Sequence, residues 1–162
     1  MNATIRFHQI GHDWLFRIGK LRLVAGINSN LRDGNHVLFW EFDDQSYPEV
    51  RGHLEGVQHD FALPDILIFK ASTNRSWHAM CFARLSWRTA ITVVAATEGI
   101  DLLWFKMSLQ RDHWTLRVTD KGNGTPERYA VLEGAPPEAT HQELVSAVLY
   151  EAWQRGSVAP DG

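Results

Sequence analysis

One cysteine, Cys81, is all the chain carries, which excludes an internal disulfide and a thiolate metal cluster. Its setting, Ala79-Met80-Cys81-Phe82, is that of a small core residue rather than a reactive thiol. No apolar run approaches the length of a membrane span. The first residues also lack the basic-then-apolar pattern of a secretory signal. A cytoplasmic protein without membrane contact is the expectation. There is no Gly-rich Walker loop, no His-Glu-x-x-His and no internal repeat. Net positive charge is missing too: the formal net charge is -3, which argues against a general polyanion binder.

What is present fits one folded domain over residues 1–162. Hydrophobic residues make up 44% and charged residues 22%, enough to build a core at this length. Seven Trp and eight Phe mean that large side chains carry much of the burial. Charge is unevenly spread. Residues 1–69 hold six Lys/Arg against nine Asp/Glu, and residues 70–130 hold nine against five. An acidic pole beside a basic one suits a site that holds cations and phosphates together, and equally suits chance, since shifts of a few charges are common.

The stretch His36-Val37-Leu38-Phe39-Trp40-Glu41-Phe42-Asp43-Asp44 is an apolar strand that ends in acid. Side chains alternate along a strand, so Glu41 and Asp43 share a face and Asp44 points the other way. Adjacent carboxylates repel. They are tolerated beside a divalent cation, or in a solvated acidic turn. The stretch alone leaves both readings open.

The rest of the chain divides as follows. Thr4–Ile10 alternates as a strand. Residues 14–18 and 21–26 flank Gly19-Lys20 as a hairpin, a small antiparallel addition to the main sheet. Tyr47 to about Phe61 reads as a helix with an early Pro48. Residues 66–70 and 76–84 read as a hairpin around the turn 72–75. Ser86 is the expected N-cap of a helix over 87–97 that Gly99 ends. Residues 101–109 and 113–118 read as two further strands, 121–126 as an open loop, and 129–132 as an edge strand. Thr140 and Glu143 form a capping-box pair at the start of an expected C-terminal helix over 140–155, where Leu144, Val145, Val148, Leu149 and Trp153 keep helical spacing. Residues 157–162 are expected to fray.

From 36 to 109 this order is β-α-β-β-α-β, the ferredoxin-like or RRM-like arrangement of an α+β fold. In that arrangement the first and third strands are central antiparallel neighbours and the fourth flanks the first. Glu41 and Asp43, His78, and Asp101 therefore arrive at one sheet edge from distant parts of the chain. Converging carboxylates suit Mg²⁺ or Mn²⁺, and such ions can hold a triphosphate for in-line attack. His78 would contact a phosphate or carry a proton. Arg75, Lys106, Arg117 and Lys121 are the nearby cations. Each residue also has a plainer reading: His78 as a hydrogen-bonded structural histidine, Asp101 as a cap after Gly99, Arg117 as an outward residue of its strand.

The Glu41-Phe42-Asp43 pair, Ser76-Trp77-His78, and Asp101 at the start of a strand together resemble the archaeo-eukaryotic primase superfamily. Thr73-Asn74-Arg75-Ser76-Trp77-His78 is similar to the turn that leads to that family's histidine. Arg111 to Lys121 is similar to the strand after its third motif. The resemblance covers residues 36–121, with Glu41 where the family carries Asp. It implies a primase or primase-polymerase on a modified RRM-like sheet, of the kind found in plasmids and viruses. By the same resemblance, Glu41, Asp43 and Asp101 are ligands of two divalent ions, and Ser76 and His78 bind the nucleotide. Arg117 or Lys121 then contacts a phosphate or the template. Nucleoside triphosphates and a single-stranded DNA or RNA template are the implied partners, with a helicase or accessory subunit completing the enzyme. Two other readings stand beside it. One is a non-catalytic RRM-like module that stacks single-stranded bases on Phe39, Trp40, Phe42, Trp77 and Phe82. The other is a primase-like subunit whose site has decayed.

Overall fold

The computed structural model describes residues 3–9, 12–18, 21–71, 74–120, 124–145 and 147–153. In chain order its elements are β1 (Ala3–Gln9), β2 (His12–Ile18), β3 (Leu21–Asn28), β4 (His36–Asp43), α1 (Tyr47–Phe61), β5 (Ile66–Lys70), β6 (Ser76–Leu85), α2 (Trp87–Ala95), α3 (Leu102–Arg111), β7 (Thr115–Arg117), β8 (Glu127–Leu132), a 3-10 turn (His141–Glu143) and β9 (Ala147–Trp153). The protein is a mixed α+β fold. Its strands form sheets of order β1-β2, β7-β3-β9 and β4-β6-β5-β8, with every strand pair antiparallel.

The four-stranded sheet carries the core. Leu38, Trp40 and Phe42 point to one face of β4, and Ala79 and Trp77 of β6 pair across from Trp40 and Phe42 on that same face. α1 and α2 cover it. Val50, Leu54 and Val57 recur at helical spacing on α1, and Ala90, Val93 and Val94 do so on α2; all are buried. Trp40 Nε1 donates to Thr97 Oγ1 at 2.9 Å, just past α2, so the indole is buried without losing its hydrogen bond. α1 begins as expected, with Ser46 and Glu49 forming a capping box and Pro48 in the first turn. Ala62 closes it in the left-handed conformation at φ 49°. Ser86 caps α2 through Thr89 N.

Three expected elements are different. Residues 101–109 are not a strand but the helix α3. The run Leu-Leu-Trp-Phe-Lys-Met-Ser-Leu contains no β-branched residue, and Leu, Lys and Met are strong helix formers. Asp101 supplies the N-cap: Oδ1 accepts from Leu103 N at 2.7 Å and Trp104 N at 2.9 Å. Trp104, Phe105 and Ser108 then turn inward, while Leu102 and Leu103 stay 64% and 68% exposed. The expected ferredoxin-like unit therefore keeps its first, third and second strands as β4-β6-β5 and lacks the fourth.

The described residues between 140 and 153 do not form the expected C-terminal helix over 140–155. The capping box of Thr140 and Glu143 is present, but it opens only the 3-10 turn, and the chain then extends as β9. Seven register pairs, from Leu21↔Trp153 to Ile27↔Ala147, lay this segment along β3, a tertiary pairing that overrides its local helical spacing.

The hairpin expected between residues 14–18 and 21–26 does not form. β2 pairs with β1, whereas β3 pairs with β7 and β9. The Gly19-Lys20 turn, Ser72 and Thr73 of the 72–75 turn, Lys121 with the start of its loop, and the 157–162 tail lie outside the described residues. Residues 113–118 shorten to β7, whose partner is β3 rather than 101–109. The edge strand expected at 129–132 is β8, beside β5.

Candidate active site

The face of β4 turned away from α1 and α2 carries Glu41 and Asp43. β6 sets their neighbours by register alone: Glu41 stands opposite His78, and Asp43 opposite Ser76. Paired residues of an antiparallel ladder project to the same side, so two acids, a histidine and a serine form a compact square. Glu41 Oε1 lies 3.8 Å from His78 Nε2. Ser76 Oγ donates to Asp43 Oδ1 at 2.8 Å. His78 is buried, Glu41 and Ser76 are half-buried, and Asp43 is exposed, so the square opens outward at Asp43. Asp44 leaves the strand at φ 60°, and its carbonyl accepts from the Arg75 guanidinium.

The row continues across the sheet. His78 pairs with Phe69 of β5, and Phe69 with Arg128 of β8. Arg128 is exposed and brings a cation to the face of the acids. Its place was invisible in the sequence, because it depends on which strand flanks β5 and on a register shift between Ile68 and Phe69.

Asp101 joins the site through its backbone. Asp101 N donates to Glu41 O at 2.8 Å, which fixes the start of α3 against the end of β4. Its Oδ1 is committed to the α3 cap, so the plainer reading of Asp101 as a capping residue describes what that oxygen does here. Arg117 is buried, and its guanidinium donates to three carbonyls: Thr119 O at 2.6 Å, Gly124 O at 3.1 Å and Ala71 O at 3.2 Å. Those bonds tie β7 to the ends of two loops and commit three of the five guanidinium N–H donors to the backbone. Lys106 is exposed on α3 and Arg75 is exposed in the turn before β6. Lys121 lies outside the described residues.

Among the described residues, no three His, Cys, Asp or Glu side chains form a group arranged to hold a metal ion. The oxygen donors that do share a face are Glu41 and Asp43. This pair fits a Mg²⁺- or Mn²⁺-type ion of the sort held by one or two carboxylates, with water and substrate phosphate completing the shell. Cys81 takes no part. It is buried, its Sγ faces Pro64 O at 3.6 Å, and burial pushes its thiol up to about 12. Of the aromatics considered for base stacking, Phe39, Trp40, Phe42 and Trp77 are buried, and only Phe82 is half-buried. No helix among the described residues is long and apolar enough to cross a membrane.

No family model, no curated protein and no solved structure matches the chain.

Proposed function

We propose that the chain is a metal-dependent nucleotidyltransferase of primase or primase-polymerase type, built on a modified RRM-like core. The observation that carries this reading is the register of β4 on β6, which sets Glu41 opposite His78 and Asp43 opposite Ser76 on one face. An acid pair two residues apart and a serine and histidine two residues apart meet there although a helix and a strand separate them in the chain. In this reading Glu41 and Asp43 hold Mg²⁺ or Mn²⁺, which supplies charge neutralisation for a triphosphate. Asp101 contributes its free Oδ2 as a further ligand or acts through the α3 cap. His78 and Ser76 donate hydrogen bonds to the nucleotide's phosphates, and Arg75, Lys106 and Arg128 lend positive charge around them. A 3′-hydroxyl gives its proton to solvent as it attacks the α-phosphorus; the new P–O bond forms, the α–β phosphoanhydride bond breaks, and pyrophosphate departs. A single-stranded DNA or RNA template orders the nucleotides.

The buried state of Phe39, Trp40, Phe42 and Trp77 weighs against a sheet that merely stacks bases. The test is calorimetric titration of Mn²⁺ with and without a nucleoside triphosphate, followed by extension on a single-stranded template. Nucleotide-dependent Mn²⁺ uptake and template-dependent products are expected. A chain that binds neither metal nor nucleotide would remove the proposal and leave the reading of a decayed, partner-binding subunit.

A further inference from the structure

Three segments must hold still relative to one another for Asp101 to keep its place beside the square of acids, serine and histidine. They are the end of β4, the start of β6, and the turn before α3. One residue outside every motif touches all three. Gln45 follows the acid stretch. Its backbone N–H donates to Arg75 O at 3.2 Å, beside Ser76. Its backbone carbonyl accepts from Trp77 Nε1 at 3.1 Å, between Ser76 and His78. Its side-chain Nε2 donates to Gly99 O, two residues before Asp101.

The third contact is the informative one. Gly99 sits at φ +74°, and a Cβ built there would lie 2.7 Å from both Nε2 and Oε1 of Gln45, so the amide rests directly on the glycine backbone. Gln45 Oε1 is enclosed and has no hydrogen-bond partner. A buried orphan acceptor is unfavourable, and an apolar side chain of the same length would avoid it. What the amide adds over such a side chain is the bond to Gly99.

Building on the nucleotidyltransferase reading, we infer that Gln45 is a positioning residue that sets the Asp101 segment against the Asp43 and Ser76-x-His78 segments. It touches no substrate or metal. It acts beside the Asp101 N–Glu41 O bond, holding the turn before α3 against the β4 acids so that Asp101 can close the metal site.

The test compares the full chain with Gln45→Met, which keeps length and removes the donor, and with Gly99→Ala, which pushes the amide away from the other side. Mn²⁺ binding is followed by electron paramagnetic resonance, nucleotide addition by steady-state kinetics, and thermal unfolding is run alongside. Both variants are expected to unfold within about 5 °C of the parent. Both should lose about 10- to 100-fold in kcat or Mn²⁺ affinity, with the KM for template little changed. Retention of kcat and Mn²⁺ affinity within about twofold of the parent in Gln45→Met would overturn the inference, since that is far below the loss a positioning residue causes. A parent chain that neither takes up Mn²⁺ nor adds nucleotide overturns the underlying reading instead, and the positioning role falls with it. If Gln45→Met unfolds, unaltered kinetics in Gly99→Ala overturn the inference on their own.

Discussion

Glu41 on β4 and His78 on β6 face each other across one rung of the antiparallel ladder, with Oε1 3.8 Å from Nε2. The next rung holds Asp43 and Ser76. Asp43, at the outer corner of this square, is exposed, whereas His78 at the inner corner is buried, so substitutions at Asp43 separate the proposed chemistry from stability.

Asp43 is exposed, and its only described side-chain bond is to Ser76. Asp43→Ala should leave the unfolding midpoint close to the parent's, as exposed substitutions usually do. Loss of a charge-stabilising group at the reacting phosphate should cost about two to three orders of magnitude in nucleotide addition. Primer extension paired with thermal unfolding checks both halves. Undiminished synthesis by the folded variant would end the nucleotidyltransferase reading.

Asp101 has two possible duties, and two substitutions divide them. Asparagine caps helices about as well as aspartate, whereas alanine loses about 1 kcal/mol. Asp101→Asn should therefore match the parent in urea denaturation, and Asp101→Ala should not. If the carboxylate is a metal ligand, both variants lose Mn²⁺-dependent activity. If it is only a cap, Asp101→Asn stays active.

Arg117 donates to three carbonyls from a buried position. Lysine cannot reproduce that planar fork. Arg117→Lys is predicted to cost about 2–3 kcal/mol in urea unfolding, the range for hydrogen bonds to a charged group. The KM for nucleotide should hardly move. A large KM effect with unchanged stability would instead return Arg117 to the phosphate-binding role implied by the family resemblance.

His36 is buried against Ser29, with Nδ1 3.0 Å from Ser29 Oγ. Burial first, and the charge of His113 second, hold its imidazole below its ordinary value of 6.5, while Asp112 pulls the other way. A lowered folded value means that the unfolded chain binds the proton more readily. Stability from this group is thus full above pH 6.5 and declines as pH falls from there toward the folded value. His36→Gln should flatten that part of the stability–pH curve. An unchanged slope in denaturant melts across the window would show that another group sets it.

Much of the four-stranded sheet was legible because local signals and final contacts agree. In β4 the apolar run, in α1 the early Pro48 and capping box, and at α2 the Ser86 cap each point to the element that forms. The pairing of β4 with β6, and hence the meeting of Glu41 with His78, followed from the order of those elements. α3 was hidden because Leu, Trp and Phe suit either a strand or a helix; the absence of β-branched residues and the cap at Asp101 decide for the helix. β9 was hidden for the opposite reason. Its spacing is helical, and the choice is made by β3, more than a hundred residues earlier in the chain. Gln45 and Arg128 belong to no motif, and their roles depend on backbone register and turn geometry that no local pattern encodes.

The three-stranded sheet draws its members from residues 21–28, 115–117 and 147–153. During synthesis, β3 emerges well before either of its partners, whereas β4, α1, β5, β6 and α2 follow one another with short connections. Long-range pairings form late because the intervening chain must first be closed. The two strands of the acid–histidine ladder, β4 and β6, thus lie close in the chain, whereas the partners of β3 lie far along it. The last strand among the described residues, β9, belongs to a different sheet from the one that carries Glu41 and His78.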